Sequence, residues 1–115
     1  MGFVFELDEQ RSWNPSYNVG WVYVEQLRTL ERLFGLRSGV EYTAKETLRL
    51  DLPVLQRFVD WVLRVLPTIE ERALLVLVAG CCQVTIALLD KAAGQTTKAP
   101  PGYEWLVEAA RNLQV

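Results

Sequence analysis

Two short segments of the chain alternate between apolar and polar side chains. FVFEL at residues 3–7 and ETLRLD at residues 46–51 both repeat with a period of two. Such a period is typical of a half-buried strand, so we predict two strands that pair as an antiparallel ribbon. Residues 36–46 have no clear period and are expected to form a loop.

Longer segments between these strands carry the start and stop signals of helices. Asn14 and Pro15 predict an N-cap and a first helical position, and Gly35 follows the last apolar turn as a C-terminal glycine. We therefore predict a first helix from Pro15 to Phe34. Asp51 is expected to cap a second helix, which a proline ends at position 67.

Two more helices are predicted in the second half of the chain. Thr68 and Glu71 have the spacing of a capping box at the start of the third helix, and Gly94 is expected to end it. Residues 94–102 are polar and rich in proline and glycine, which is typical of a surface connection. Residues 103–113 then predict a short final helix.

The first helix carries apolar residues on two sides. Most of them fall on one arc of the helical wheel, which we expect to face the core. Trp21 and Val24 fall on the opposite side, among charged residues that include Arg28. The predicted core set is Val19, Val22, Tyr23, Leu27, Leu30, Leu33 and Phe34.

The third helix contains a long uncharged stretch. The seventeen residues from Ala73 to Leu89 carry no charge, and as a helix they span about 26 Å, against a hydrocarbon thickness of about 30 Å. The other helices have wide apolar faces that need a partner. We therefore expect this helix to lie at the centre of the fold, enclosed by its own neighbours and not by a membrane.

These elements together predict one α+β domain over residues 1–115. The domain is mainly helical, with four helices, a central apolar helix and the two-stranded antiparallel ribbon across one side. A length of 115 residues suits a single domain, and a hydrophobic share of 50% excludes intrinsic disorder.

Charge and composition exclude several classes of function. Twelve basic and fourteen acidic residues give a net charge of −2, which lacks the electrostatic signature of a nucleic-acid binder. The chain has no histidine, so no mechanism can use imidazole as a base or a metal ligand. No phosphate-binding loop or nucleophile elbow occurs either. We assign no catalytic residue and expect no metal and no cofactor.

The two cysteines, Cys81 and Cys82, are neighbours within the predicted third helix. Consecutive helical residues point about 100° apart, so these thiols should not pair with each other. We expect buried free thiols, with a redox or nucleophilic role as the alternative. The absence of a disulfide framework, and an N-terminus without the pattern of a signal peptide, predict a reducing cytoplasm.

Trp21 is the most unusual aromatic residue, because its wheel position is polar. Two interpretations remain open. The N-terminal strand folds over it, or it forms a contact surface together with Val24 and Arg28. Large amphipathic rings are used both in cores and in binding sites.

A second candidate site lies along the predicted third helix. There, Arg72, Gln83 and Asp90 fall on one stripe beside small residues. This stripe is either the solvent side of the helix or the wall of a polar cleft. In the second case a pocket between the second, third and fourth helices would be lined by Gln83, Arg72, Tyr103 and Trp61. Trp61 would otherwise pack in the core.

Three segments carry a resemblance to a known family: WNPS before the first helix, LRLDLPVLQRFVDWV entering the second, and RALLVLVAGCCQVTIALLDKAAG in the third. Over most of residues 3–94 the chain resembles a family of small uncharacterised actinobacterial proteins. These motifs are mainly caps and core faces and transfer no catalytic residue. The resemblance implies a bacterial cytoplasmic protein of unknown function, and nine arginines against three lysines agree with a GC-rich genome.

The leading functional hypothesis is a non-catalytic binding module that acts through protein contacts. Its partner would be a second copy in a homodimer, or another protein. In the second case the chain would regulate that protein or neutralise it as a toxin. The alternative is a protein with a pocket for a small apolar ligand, or a cofactor-free enzyme of specialised metabolism.

Overall fold

The structure, a computed structural model, describes residues 2–115. In that range the chain forms four strands and four α-helices: β1 Val4–Glu6, β2 Ser12–Trp13, α1 Tyr17–Phe34, β3 Val40–Ala44, β4 Thr47–Leu50, α2 Leu52–Val65, α3 Arg72–Ala93 and α4 Glu104–Arg111. The predicted α+β class and the four helices are confirmed. The Cα radius of gyration is 13.4 Å, as expected of a compact chain of this length.

The sheet is mixed and has the strand order β2-β1-β4-β3. β1 and β4 do pair, but they run parallel, with Phe5 opposite Leu48. The predicted two-stranded antiparallel ribbon is therefore wrong in both direction and strand number. The long crossover through α1 returns the chain to the same end of the sheet, and a connection of that length allows a parallel pair.

The two outer strands lie where none was predicted. β2 has only two residues, and it follows a turn in which Asp8 Oδ1 accepts hydrogen bonds from the backbone N–H of Gln10 and Arg11 at 2.8 and 2.7 Å. β3 pairs antiparallel with β4, but only Val40 in it is buried. A strand with a single buried residue leaves no alternating pattern in the sequence.

α1 ends as predicted but begins later. Gly35 has a φ of 67°, in the left-handed region that favours glycine, and its N–H donates to the Glu31 carbonyl. The predicted N-cap at Asn14 is wrong, because residues 15–16 remain extended beside the N-terminal segment: Ser16 bridges Gly2, and Phe3 donates to the Pro15 carbonyl.

α2 and α3 differ in how well their starts were predicted. Asp51 caps α2 as expected, accepting from the Val54 N–H at 3.3 Å. The capping box at Thr68 is wrong, since residues 66–68 form a 3₁₀ turn and Thr68 Oγ1 donates to the Val65 carbonyl at 2.6 Å. α3 consequently begins at Arg72 and ends before Gly94, as predicted.

The core is built around the second half of α3 and an aromatic cluster from the N-terminal segment. The ring centroids of Phe5 and Trp13 lie 5.0 Å apart, and both rings contact Tyr23 of α1. A Cβ added at Gly20 would lie 2.6 Å from the Phe3 side chain, so this close approach requires glycine. The buried residues of α3 are Val78, Ala79, Cys81, Cys82, Thr85, Ile86, Ala87, Leu88 and Leu89.

The N-terminal part of α3, residues 72–77, contains no buried residue. Val76 and Leu77 are 64% and 65% exposed, which corrects the expectation that the whole uncharged stretch is covered by its own neighbours. Within residues 2–115, α3 is the one helix long and apolar enough to cross a membrane by length and composition, and half of its most apolar window is buried in the fold. The chain's own residues therefore leave the exposed side chains near the start of α3 without a cover.

Candidate functional site

An apolar groove of about 290 Å³ runs between α1 and α3. The helices are antiparallel, because Tyr23 near the start of α1 contacts Thr85 near the end of α3, whereas Leu33 and Leu74 line the groove together at the opposite ends. Glu25 is the one charged residue among those that line it. The arrangement is an open apolar channel with a polar rim.

The side chains around this groove are large, apolar and accessible. Trp21, Val22 and Leu33 of α1 are 45–52% exposed, and Leu77 of α3 lines the same groove. Val76 adjoins Leu77 on the outer side of α3. We call these five residues the α1–α3 face. Their exposed parts together amount to on the order of 500 Å² of apolar surface, within the range of the largest patch on a typical monomer, which is often functional.

The groove continues toward the C-terminus of the chain. A second depression of about 450 Å³ shares Val22 and Gln26 with the first and extends to Val84 and Leu113. Gly80 lies on the same exposed side of α3, and a Cβ added there would have no neighbour within 4 Å. The accessible seam thus follows α1 and α3 for most of their length.

A buried hydrogen bond joins the two helices that form the groove. Tyr23 Oη lies 2.7 Å from Thr85 Oγ1, and Thr85 Oγ1 donates to the Cys81 carbonyl at 3.0 Å. Burial, together with the nearby Cys81 thiol, raises the pKa of Tyr23 well above its usual value. The phenol stays neutral and serves as a structural contact.

Both cysteines are buried free thiols, as predicted. Burial raises the pKa of the Cys82 thiol to about 12, and burial with the neighbouring Cys82 raises the pKa of Cys81 further. Cys81 lies at the base of the groove but is only 1% exposed. Neutral, buried thiols are poor nucleophiles, so the groove offers no reactive sulfur.

The helical wheel placed Trp21 and Val24 together on the outer side of α1, and only Trp21 lies there; the interpretation in which the N-terminal strand folds over Trp21 is wrong. Trp21 is 49% exposed, whereas Val24 is 2% exposed and packs in the core. The expectation that Val24 faces outward is wrong. The buried arc of α1 is centred on Gly20, Tyr23 and Leu27 because the aromatic N-terminal segment packs there.

Arg28 is bound within the fold. Its guanidinium donates to Glu31 Oε1 at 2.9 Å and to the Val40 carbonyl at 2.7 Å, which attaches β3 to α1. Glu31 also accepts from the Ser38 N–H and hydroxyl at 2.9 and 2.7 Å. Burial opposes ionisation of Glu31, but these hydrogen bonds and the Arg28 charge together hold its pKa below the usual value. Arg28 therefore positions the sheet.

The stripe along α3 does not form one cleft. Arg72 is exposed, Gln83 is half-buried, and both carboxylate oxygens of Asp90 are buried without a hydrogen-bond partner in residues 2–115. Burial raises the pKa of Asp90, although the Arg111 charge acts in the opposite direction. Asp90 and Arg111 border a separate depression of about 480 Å³.

The remaining predicted pocket residues lie apart from one another. Trp61 packs edge-to-face on Phe34, with ring centroids 5.3 Å apart. Tyr103 stands beside Trp105 just before and within α4, with ring centroids 6.5 Å apart. Five surface depressions within residues 2–115 all lack Trp61, Arg72, Gln83 and Tyr103 in their linings. A pocket formed by these four stays a prediction.

The structure adds residues to the site that sequence analysis placed in the core. Val22, Leu33 and Leu77 are exposed and line the groove. One feature of the sequence points to such exposed residues: α1 and α3 are each apolar over more than one face, and each apolar face needs a packing partner. Within residues 2–115, no group of three or more Cys, Asp or Glu side chains is arranged to hold a metal ion.

Comparison with known proteins gives a family without an assigned role. A family model described as "Family of unknown function (DUF6086)" matches residues 1–115. No curated protein and no solved structure showed a significant match. The resemblance to a family of unknown function is therefore confirmed.

Proposed function

Since the chain belongs to DUF6086, a family of unknown function, we propose its role from its geometry: it is a non-catalytic binding module that acts through protein contacts. The contact surface is the α1–α3 face. The role is stoichiometric, as in a regulatory subunit or in a protein that neutralises a toxin by covering it.

The observation that carries this proposal is the exposure of Val76 and Leu77 at 64% and 65% on the most apolar helix of the chain. Leaving such side chains in water is unfavourable by about 25 cal/mol per Å². Covering the α1–α3 face, on the order of 500 Å², would therefore contribute roughly 12 kcal/mol before the cost of association. That gain is comparable with the loss of translational and rotational freedom, estimated at about 4–15 kcal/mol.

The composition of the face also supports a protein partner. Trp21 lies at its edge, and tryptophan is one of the residue types enriched among the interface residues that dominate binding energy. The groove beside it has the form that receives one side of an amphipathic helix, with apolar walls from two antiparallel helices. The single charge in the lining, Glu25, lies among otherwise uncharged residues.

A bacterial and cytoplasmic setting belongs to the same proposal. Nine arginines against three lysines suit a GC-rich genome. Two buried free cysteines suit a reducing compartment.

Site-specific photocrosslinking in the cells that make the protein tests the proposal. Benzoylphenylalanine replaces Leu77 in the α1–α3 face or, as the matched control, Arg57, an exposed residue of α2. We expect a discrete protein adduct from position 77 and none from position 57. The absence of a protein adduct at position 77, or equal adducts at both positions, contradicts the proposal.

A further inference from the structure

We propose that the partner is a second copy of this chain, joined through the α1–α3 face about a two-fold axis that runs between the two α3 helices. This inference rests on the proposed function and adds the identity of the partner. It follows from the area of the face, from its shape and from the placement of two charges.

The area of the face agrees with what a stable dimer needs. The five side chains expose on the order of 500 Å² on one copy. Standard interfaces bury about 800 Å² per partner, and the adjoining seam toward Val84 and Leu113 extends the apolar surface toward that size. A two-fold interface uses the same surface on both copies, so one apolar face is sufficient.

The shape of α3 permits a second helix to approach closely. Ala73, Val76, Leu77, Gly80 and Val84 follow the spacing of a single helical stripe. Nothing in residues 2–115 would contact a Cβ at Gly80. A large side chain from the other copy can therefore rest against the backbone there, between the protruding Leu77 and the half-buried Val84.

Two charges border the face at complementary heights. Tyr23 and Thr85 lie at the same level, so Glu25, two residues farther along the antiparallel α1, lies at about the level of residue 83. We place the two-fold axis at the level of Val78. Arg72 lies about 9 Å from that level along α3, so it comes opposite residue 84 of the other copy. Arg72 of one copy thus approaches Glu25 of the other, and the pair occurs twice.

Both charges are available for this contact. Glu25 and Arg72 are exposed, and neither side chain forms an ion pair within residues 2–115. Because no other residue that lines the groove is charged, a cation from a partner is the complement that Glu25 lacks.

Sedimentation equilibrium of the full chain, at low salt, tests the proposal with a charge exchange. We expect a dimer for the wild type. Arg72→Glu and Glu25→Arg should each raise the dimer dissociation constant about tenfold, and the double variant should return it to within about threefold of the wild-type value. Arg57→Glu, a matched surface charge reversal on α2, should leave the constant unchanged.

The other outcomes separate this inference from the proposed function. If the wild type is a monomer but still crosslinks to a different protein through position 77, the proposal that the partner is a second copy is wrong. The proposal that the chain is a binding module is then still supported. A monomeric wild type without a protein adduct overturns both. A monomer that floats with phosphatidylcholine vesicles assigns the face to lipid and contradicts both as well. A dimer that the charge reversals do not weaken contradicts the proposed two-fold arrangement.

Discussion

Tyr23 donates its hydroxyl proton to Thr85 across the interface between α1 and α3. The oxygen atoms are 2.7 Å apart, and both residues are buried. Thr85 has a single hydroxyl proton, which it donates to the Cys81 carbonyl at 3.0 Å. The phenol must therefore be the donor, and Thr85 Oγ1 the acceptor. This bond fixes the level at which the two helices of the α1–α3 face meet.

The direction of that hydrogen bond predicts that removing the Thr85 hydroxyl and removing the Tyr23 hydroxyl change the free energy of unfolding by different amounts. Thr85→Val leaves the Tyr23 hydroxyl buried without a partner, which should lower the free energy of unfolding by about 1–3 kcal/mol. Tyr23→Phe leaves Thr85 bonded to the Cys81 carbonyl, so the loss should be about 0.5–1.5 kcal/mol. Urea titrations of both variants measure this. A larger loss for Tyr23→Phe would contradict the assigned direction.

The buried thiols predict slow chemistry in the native protein. The pKa of Cys82 rises from 9.0 to about 12, which reduces its thiolate fraction about 1,000-fold near neutral pH. Ellman's reagent should react with Cys81 and Cys82 only slowly under native conditions and rapidly in urea. Thiol release followed by absorbance provides the test. Immediate reaction of the native protein would show that the base of the groove opens to solvent.

Glu31 predicts a loss of stability in acid. Its folded pKa lies below its unfolded value of about 4.5, so its contribution is present above that pH and is lost as the pH falls through the folded pKa. Glu31→Gln should lower the free energy of unfolding by about 1–2 kcal/mol at pH 7, and the difference from wild type should shrink below about pH 4. Glu108→Gln on α4, an exposed glutamate, is the control. A deficit that does not change with pH would contradict this role.

Asp90 predicts the opposite pH dependence. Its folded pKa is raised by burial, so the ionised side chain destabilises the fold above that pKa and the penalty disappears below the unfolded pKa. The negative end of the α3 dipole adds to this penalty. Asp90→Asn should raise the free energy of unfolding at pH 7 and have little effect near pH 3. Destabilisation by Asp90→Asn at pH 7 would mean that attraction to Arg111 outweighs burial.

The local signals in the sequence predicted the helices well wherever a cap is self-contained. Asp51 and Gly35 act through their own side chain or backbone within one turn, so the sequence reveals them. Thr68 has the right spacing for a cap, but the 3₁₀ turn next to it gives its hydroxyl a nearer acceptor, the Val65 carbonyl. Competition of that kind depends on the preceding helix and is not visible in a short motif.

The sheet was only partly predictable because its pairing is nonlocal. The alternation in FVFEL and ETLRLD indicates strands but contains no information on their relative direction. That direction depends on the path of α1 between them. β3 is exposed at every position after Val40 and therefore resembles a loop in the sequence.

The candidate site was recognised in part for a similar reason. The helical wheel separated Trp21 from the core correctly, but it assigned Val19, Val22 and Leu33 to the interior, and all three are exposed. An apolar residue that faces a missing partner has the same pattern as one that faces its own core. Only the position of the N-terminal aromatic cluster over Gly20 and Tyr23 shows which arc of α1 is already covered.

The central claim is that another protein chain covers the α1–α3 face, and Trp21 and Trp105 offer a matched pair of probes. In the folded chain they are 49% and 52% exposed, on α1 and α4 respectively. The rate of hydroxyl-radical oxidation of both tryptophans would be measured in two samples: the wild-type protein inside the cells that make it, and the purified Leu77→Glu variant in dilute solution. We predict similar rates for the two rings in the variant and a severalfold slower oxidation of Trp21 alone in the cells. Equal oxidation of Trp21 and Trp105 in both samples would contradict the claim.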